Sequence, residues 1–175
     1  MVTLSVIIPV YNEAGSIGPL IADVEAVLDR LPQSSEILAV DDGSSDGTGA
    51  VLDALRLASR RLRVLSLRRN FGQTSALSAG FQAARGDVFI TMDGDGQNDP
   101  ADIPGLLADL HRGYDVVSGW RRERRDGFWT RRLPSQAANR ILAEITGVRL
   151  HDFGCTLKAY RAAFIRQLNL YADMH

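Results

Sequence analysis

Four hydrophobic strand-like runs in this chain each end in a polar cluster, and a helix-like run follows each cluster. LSVIIPVY leads into NEAGS, EILAVDD into DGSSDGT, LRVLSLRR into NFGQ, and DVFITMD into GDGQNDP. The helix-like runs are SIGPLIADVEAVLDRL, with Ile17, Leu20, Ile21, Val24, Val27, Leu28 and Leu31 at helical spacing, then GTGAVLDALRLAS, TSALSAGFQAA and PADIPGLLADLHR. Near-continuous apolar strands bounded by helices predict a parallel α/β sheet covered on both faces. YDVVSGW predicts a fifth strand. Beyond it come an irregular Arg-rich stretch, a helix over 135–147, and a last helix from Arg161. In such sheets ligands sit beyond the carboxyl ends of the strands, near a topological switch point. Four strands deliver polar residues to that one edge, which places the candidate site there.

A length of 175 residues predicts a single domain, large enough for a real core without staples. The net charge of −1 gives no global pull toward nucleic acid. Of the 20 basic residues only Lys158 is a lysine, and arginine binds phosphate and carboxylate through a planar fork. Cys155 is the sole cysteine, which excludes an internal disulfide framework and a multi-cysteine zinc site. The first apolar run is short, contains Pro9 and lacks a basic leader, unlike a signal peptide. No stretch reaches the roughly 20 apolar residues of a membrane-spanning helix.

The motifs sharpen the chemistry. In MDGDGQNDP, Asp93 and Asp95 alternate with Gly94 and Gly96. Two carboxylates this close repel unless a cation or protons compensate. Their hard oxygens, with the Gln97 amide, suit Mg²⁺ or Mn²⁺ with positions left open for substrate phosphates. A calcium loop of the EF-hand type would need Gly at Asn98 and Glu at Pro104, and has neither. In VDDGSSDGT, Asp41 and Asp42 close a buried strand, where one can meet a ribose hydroxyl or a base N–H. No Gly-X-Gly-X-X-Gly follows the first strand and no Gly-Lys-Ser/Thr phosphate loop occurs, so phosphate neutralisation falls to a metal and to arginines. Six arginines lie within 121–132, beside Phe128 and Trp129. Guanidinium groups bind phosphates bidentately, and basic residues interleaved with aromatics suit a membrane interface. In LHDFGCTLKAYR, Asp152 is a candidate site acid, while Gly154, Cys155 and Thr156 are equally consistent with packing.

Taken in order, VIIPVYNE, VDDGSSDGT, RNFGQTSALSAGF, MDGDGQNDP, DVVSGWR and HDFGCTLKAYR resemble family 2 glycosyltransferases, above all the branch acting on polyprenyl phosphates. The resemblance implies a GT-A fold, a doubly wound, mostly parallel sheet with helices on both faces, spanning 1–175 as one domain. It implies that Pro9, Tyr11 and Glu13 border the nucleotide and that Val40 and Asp42 contact base and ribose. Asp93 and Gly94 would sit on the nucleotide sugar, and Asp95 and Gln97 would bind the Mg²⁺ or Mn²⁺. Arg121 would hold a phosphate, Arg131 and Ser135 would form the acceptor-phosphate pair, and Asp152 matches the family's candidate base. The family's usual DADLQ is here DGDGQ, which keeps the ligands and loosens the turn. Family members continue past YADMH with a further basic motif and often membrane helices, so the resemblance implies a chain cut short at its C-terminal end.

The implied activity is inverting transfer from a UDP- or GDP-sugar to a polyprenyl phosphate at the cytoplasmic, inner face of a membrane, by a homo-oligomer. A phosphate acceptor has a second pKa of about 6 and needs little general-base help, so Asp152 would orient rather than deprotonate. A glycan hydroxyl acceptor would need Asp152 as a base. A catalytically inactive nucleotide-sugar-binding module is the reading from a different class.

Overall fold

The computed structural model describes residues 3–119 and 155–167. Strand β1, Leu4–Val10, is buried along its whole length and forms the sheet's centre. On one side it pairs in parallel with β2, Ser35–Asp41, which pairs in parallel with β3, Leu62–Ser66. On the other side it pairs in parallel with β4, Val88–Thr91. The order is completed by β6, Lys158–Arg161, and β5, Val116–Ser118, as β3-β2-β1-β4-β6-β5.

Strand alternation sorts the core into two layers. Leu4, Val6, Ile8 and Val10 face one layer with Ile37, Ala39 and Ile90, while Ile7, Leu38, Val40 and Phe89 face the other. Helices α1 (Ile17–Leu28), α2 (Thr48–Ala58) and α4 (Ile103–His111) cover the first layer. Helix α3 (Gln73–Ala83) and the short α5 (Ala162–Ile165) cover the second. Helix α1 buries Ile17, Leu20, Ile21, Val24 and Leu28, the stripe its spacing predicts. Each such aliphatic side chain contributes about 1.5–3 kcal/mol when removed from water. Asp99 caps the 3₁₀ turn Pro100–Asp102 ahead of α4 by accepting the Ala101 N–H at 2.9 Å.

Small residues let α3 lie close on β1. A Cβ on Gly80 would stand 2.5 Å from Cγ2 of Ile7. At the sheet edge opposite the strand carboxyl ends, buried Glu36 accepts Ser5 Oγ and Arg85 N–H on one oxygen and Arg63 Nη1 on the other, each at 2.7 Å. Burial alone raises the Glu36 pKa. The hydrogen bonds from Ser5, Arg63 and Arg85, with the Arg63 charge, outweigh it and hold the carboxyl below its ordinary value.

The sheet departs from the sequence expectation at one edge. Lys158–Arg161 forms a strand where none is predicted, and it runs antiparallel between β4 and β5. The last helix begins at Ala162, not Arg161. The reason is non-local: this four-residue strand is specified by hydrogen bonds to two partners, not by an apolar run of its own. The helix expected over 135–147 lies outside the described residues.

Candidate functional site

The chain enters at β1, steps outward to β3, then returns through α3 on the opposite face to β4. The topological switch therefore falls between β1 and β4, and their carboxyl ends hold Pro9–Glu13 and Asp93–Asp95. A cleft of about 360 Å³ opens there. Its walls are Pro9 and Val10 at the end of β1, Tyr11 and Glu13 after it, Asp42 after β2, Asn70, Gly72, Gln73 and Ala76 around the start of α3, and Asp93, Gly94 and Asp95 after β4.

The loop after β2 acts as scaffold for the loop after β1. Asn12, at φ 56°, donates its N–H to Ser44 Oγ at 2.9 Å and accepts the Ser45 N–H at 2.8 Å. The Glu13 N–H donates to Thr48 Oγ1 at 2.8 Å, and the Ala14 N–H to Asp46 at 3.2 Å. The Thr48 hydroxyl in turn donates to Asp46 and is the main cause of that carboxyl's lowered pKa. Asp46 and Thr48 thus serve the loop, and Asp42 serves both loop and cleft. Its two oxygens accept the N–H groups of Phe71 and Gly72, each at 2.8 Å, which fixes the start of α3. The crossing of these segments requires Gly43: a Cβ there would lie 2.4 Å from the Arg69 carbonyl carbon, and its φ is 73°.

Asp93 and Asp95 look alike in sequence and differ in place. Asp93 is half-buried and gripped from two directions. Gln73 Nε2 donates to Oδ1 at 2.7 Å and Thr156 Oγ1 donates to Oδ2 at 2.6 Å. The Asp93 N–H donates to the buried Asn98 Oδ1 at 2.9 Å, which fixes the orientation of that amide; Asn98 Nδ2 is buried without a partner among the described residues. Asp95 is exposed, and Oδ1 accepts the Gln97 N–H at 2.9 Å. Gly94 lies against β1, where a Cβ would come to 3.2 Å from the Pro9 carbonyl oxygen, and its own carbonyl accepts Ser16 Oγ at 3.0 Å.

Of the residues expected at the nucleotide sugar, Pro9, Tyr11, Glu13, Asp42, Asp93, Gly94 and Asp95 all line the cleft. Val40 does not. Its side chain is fully buried in the layer beneath α3, because strand alternation turns it onto that face of the sheet. Gln97 is exposed beside Asp95 but outside the cleft wall. Arg121, Arg131, Ser135 and Asp152 lie outside the described residues. Sequence reading assigned no role to Asn70, Gly72, Gln73 or Ala76; the NFGQ cluster after β3 was the signal that pointed to the first three. Nothing in the local sequence marked Thr156 as a partner of Asp93.

Electrostatics define what this cleft accepts. Among the described residues lining it are four carboxylates, Glu13, Asp42, Asp93 and Asp95, and no arginine or lysine. Among the described residues of its wall, a diphosphate entering unaccompanied meets only like charge. Asp95 and Gln97 supply two hard oxygen donors at an exposed turn. No group of three or more His, Cys, Asp or Glu among the described residues is placed to hold a metal. Two such oxygen donors would suit a divalent ion that takes most of its ligands from phosphate and water, the habit of Mg²⁺.

The model of glycosyl transferase family 2 matches residues 5–168. The chain is 47% identical over 176 residues to dodecaprenyl-phosphate galacturonate synthase of Rhizobium johnstonii, covering 98% of this chain and 52% of the relative. It is 44% identical over 163 residues to undecaprenyl-phosphate 4-deoxy-4-formamido-L-arabinose transferase of Aeromonas hydrophila, covering 93% and 50% respectively. The chain thus spans about half the length of the curated relatives it matches. Among solved structures, it shares its fold with glucosyl-3-phosphoglycerate synthase from Mycobacterium tuberculosis in complex with Mn²⁺, uridine diphosphate and phosphoglyceric acid, at a TM-score of 0.73 and 21% identity over 95% of this chain and 58% of that one. Among the described residues, no helix is long and apolar enough to cross a membrane.

Proposed function

Because the chain belongs to glycosyl transferase family 2, we propose that it transfers a sugar from a UDP- or GDP-linked donor to a polyprenyl phosphate, with inversion, at the cytoplasmic face of a membrane. The observation that carries the donor half of this reading is the cleft at the switch point, walled by four carboxylates and no described cation. The acceptor half rests on relatives named for dodecaprenyl and undecaprenyl phosphate.

Pro9, Tyr11, Glu13 and Asp42 take the nucleoside. Tyr11 offers an exposed ring, and Asp42 keeps an acceptor site on each oxygen beyond the N–H it already receives. Asp93 and Gly94 face the sugar. Asp95 and Gln97 hold Mg²⁺ or Mn²⁺, which when bound neutralises the charge that develops on the departing diphosphate. Arg131 and Ser135 orient the acceptor phosphate, Arg121 holds a phosphate, and Asp152 orients the reacting groups. An acceptor oxygen forms the new bond to the anomeric carbon as the bond to the nucleoside diphosphate breaks. The dianionic phosphate has no proton to lose, so positioning supplies more than base catalysis. The Arg-rich stretch with Phe128 and Trp129 suits the lipid interface.

A transfer assay on the full-length protein tests the reading. One labelled nucleotide sugar is offered with polyprenyl phosphate or with a glycan acceptor. Label in the lipid fraction is the expected result. Transfer to the glycan hydroxyl alone would overturn it, as would donor binding with no transfer to either.

A further inference from the structure

We propose that Thr156 is a positioning residue for the donor sugar: it anchors one oxygen of Asp93 from behind the cleft so that the other is presented to the ligand. The proposal rests on the reading of Asp93 as a sugar-facing acid. Three parts of the chain meet at this carboxylate, from 20 residues upstream at the start of α3 and 63 residues downstream before β6. Their two contacts are not equivalent. Gln73 is exposed and lines the cleft, so its amide stands where a ligand hydroxyl would compete for Oδ1. Thr156 is half-buried, is absent from the cleft wall, and holds Oδ2.

The Thr156 hydroxyl has a single hydrogen and two acceptors in reach, Asp93 Oδ2 at 2.6 Å and Asn98 Oδ1 at 3.1 Å. Asn98 Oδ1 already receives the Asp93 N–H. The nearer, charged oxygen takes the hydrogen, since charge-assisted hydrogen bonds are the shorter and stronger kind. The Thr156 backbone is itself tethered, with its carbonyl accepting Thr91 Oγ1 at 2.7 Å from the end of β4. Asp93 is thus braced against the strand that carries it. Without the hydroxyl, Oδ2 loses this charge-assisted donor and the carboxylate is held less firmly toward the sugar.

The test uses the full-length protein with Mn²⁺ and calorimetry. UDP-galacturonic acid, UDP-glucose and GDP-mannose are screened, and the tightest binder is compared with its own nucleoside diphosphate. Thr156→Val should weaken the nucleotide sugar by about tenfold or more, the scale of one hydrogen bond to a charged group, and the nucleoside diphosphate by less than about twofold. Thr156→Ser, which restores the hydroxyl, should restore the sugar affinity. In an Asp93→Ala background Thr156→Val should have no further effect, because the residue acts only through Asp93. Should the valine variant fail to fold, Thr156→Ala carries the same expectations. Unchanged sugar binding in the folded variant, equal loss of both ligands, absence of rescue by serine, or full additivity with Asp93→Ala would each overturn the proposal while the donor reading stands. A wild-type protein that binds none of the nucleotides removes the donor reading itself, and this inference with it.

Discussion

Glu36 accepts Nη1 of Arg63 at 2.7 Å, an ion pair whose acidic partner is buried at the sheet edge farthest from the cleft. Ser5 and the Arg85 N–H complete the shell, tying β1, β2, β3 and the turn before β4 into one unit.

This pair makes stability depend on acid. The folded pKa of Glu36 is held below its ordinary value, so its contribution is fully present above the ordinary carboxylate range and is lost as pH falls through the folded pKa. Thermal melts from pH 7 to pH 3 should show destabilisation setting in below about pH 4.3. Glu36→Gln should cost about 1–3 kcal/mol at pH 7, because its amide turns a donor toward other donors, and should flatten the acid limb. A variant that keeps the wild-type slope would rule out Glu36 as its source.

Asp95→Ala should abolish metal-dependent binding of nucleoside diphosphate and leave the fold in place. The side chain is exposed and its one described bond, to the Gln97 N–H, closes a surface turn. Surface changes of this kind shift stability by about 0.5 kcal/mol or less. Calorimetry with and without Mn²⁺ on both proteins checks this. Equal wild-type affinity in the two conditions counts against the metal assignment.

Gly80→Ala should destabilise the protein by about 1–3 kcal/mol, the usual cost of overpacking a core. The added methyl meets Cγ2 of Ile7 at 2.5 Å and Cγ2 of Val40 at 3.3 Å, and the strand beneath cannot move without disturbing the centre of the sheet. Urea denaturation at equilibrium gives the number. A midpoint equal to wild type would mean that α3 has room to rise from the sheet.

Arg131→Ala in the full-length protein should raise the apparent KM for polyprenyl phosphate, or lower turnover, by about tenfold, the weight of one charge-assisted contact. Nucleotide-sugar affinity should stay near wild type. Collapse of donor binding with normal acceptor dependence would reverse the assignment of the two phosphate sites.

The acidic pair after β4 shows how far a motif can be read. DGDGQ announces two carboxylates and an amide at a strand end, which is enough to expect a metal and a phosphate. It does not say which carboxylate is braced and which is open. That difference comes from Gln73 and Thr156, which reach Asp93 from distant parts of the chain. Val40, which the resemblance places at the base, has its side chain buried beneath α3.

The motifs' resemblance to a family pointed to most of the cleft wall; by itself, the sequence determined the alternation of strands and helices and the edge where polar residues collect. Those features are local: runs of apolar residues at period two or 3.6, followed by caps and turns, declare themselves within a short window. Only the tertiary structure decided that Lys158–Arg161 is a strand, that it runs antiparallel between β4 and β5, and that Thr156 just before it stands behind Asp93. A short, half-polar segment has no pattern strong enough to choose its own conformation. Hydrogen bonds to partners some 40 to 70 residues away choose it, and no window along the chain contains them.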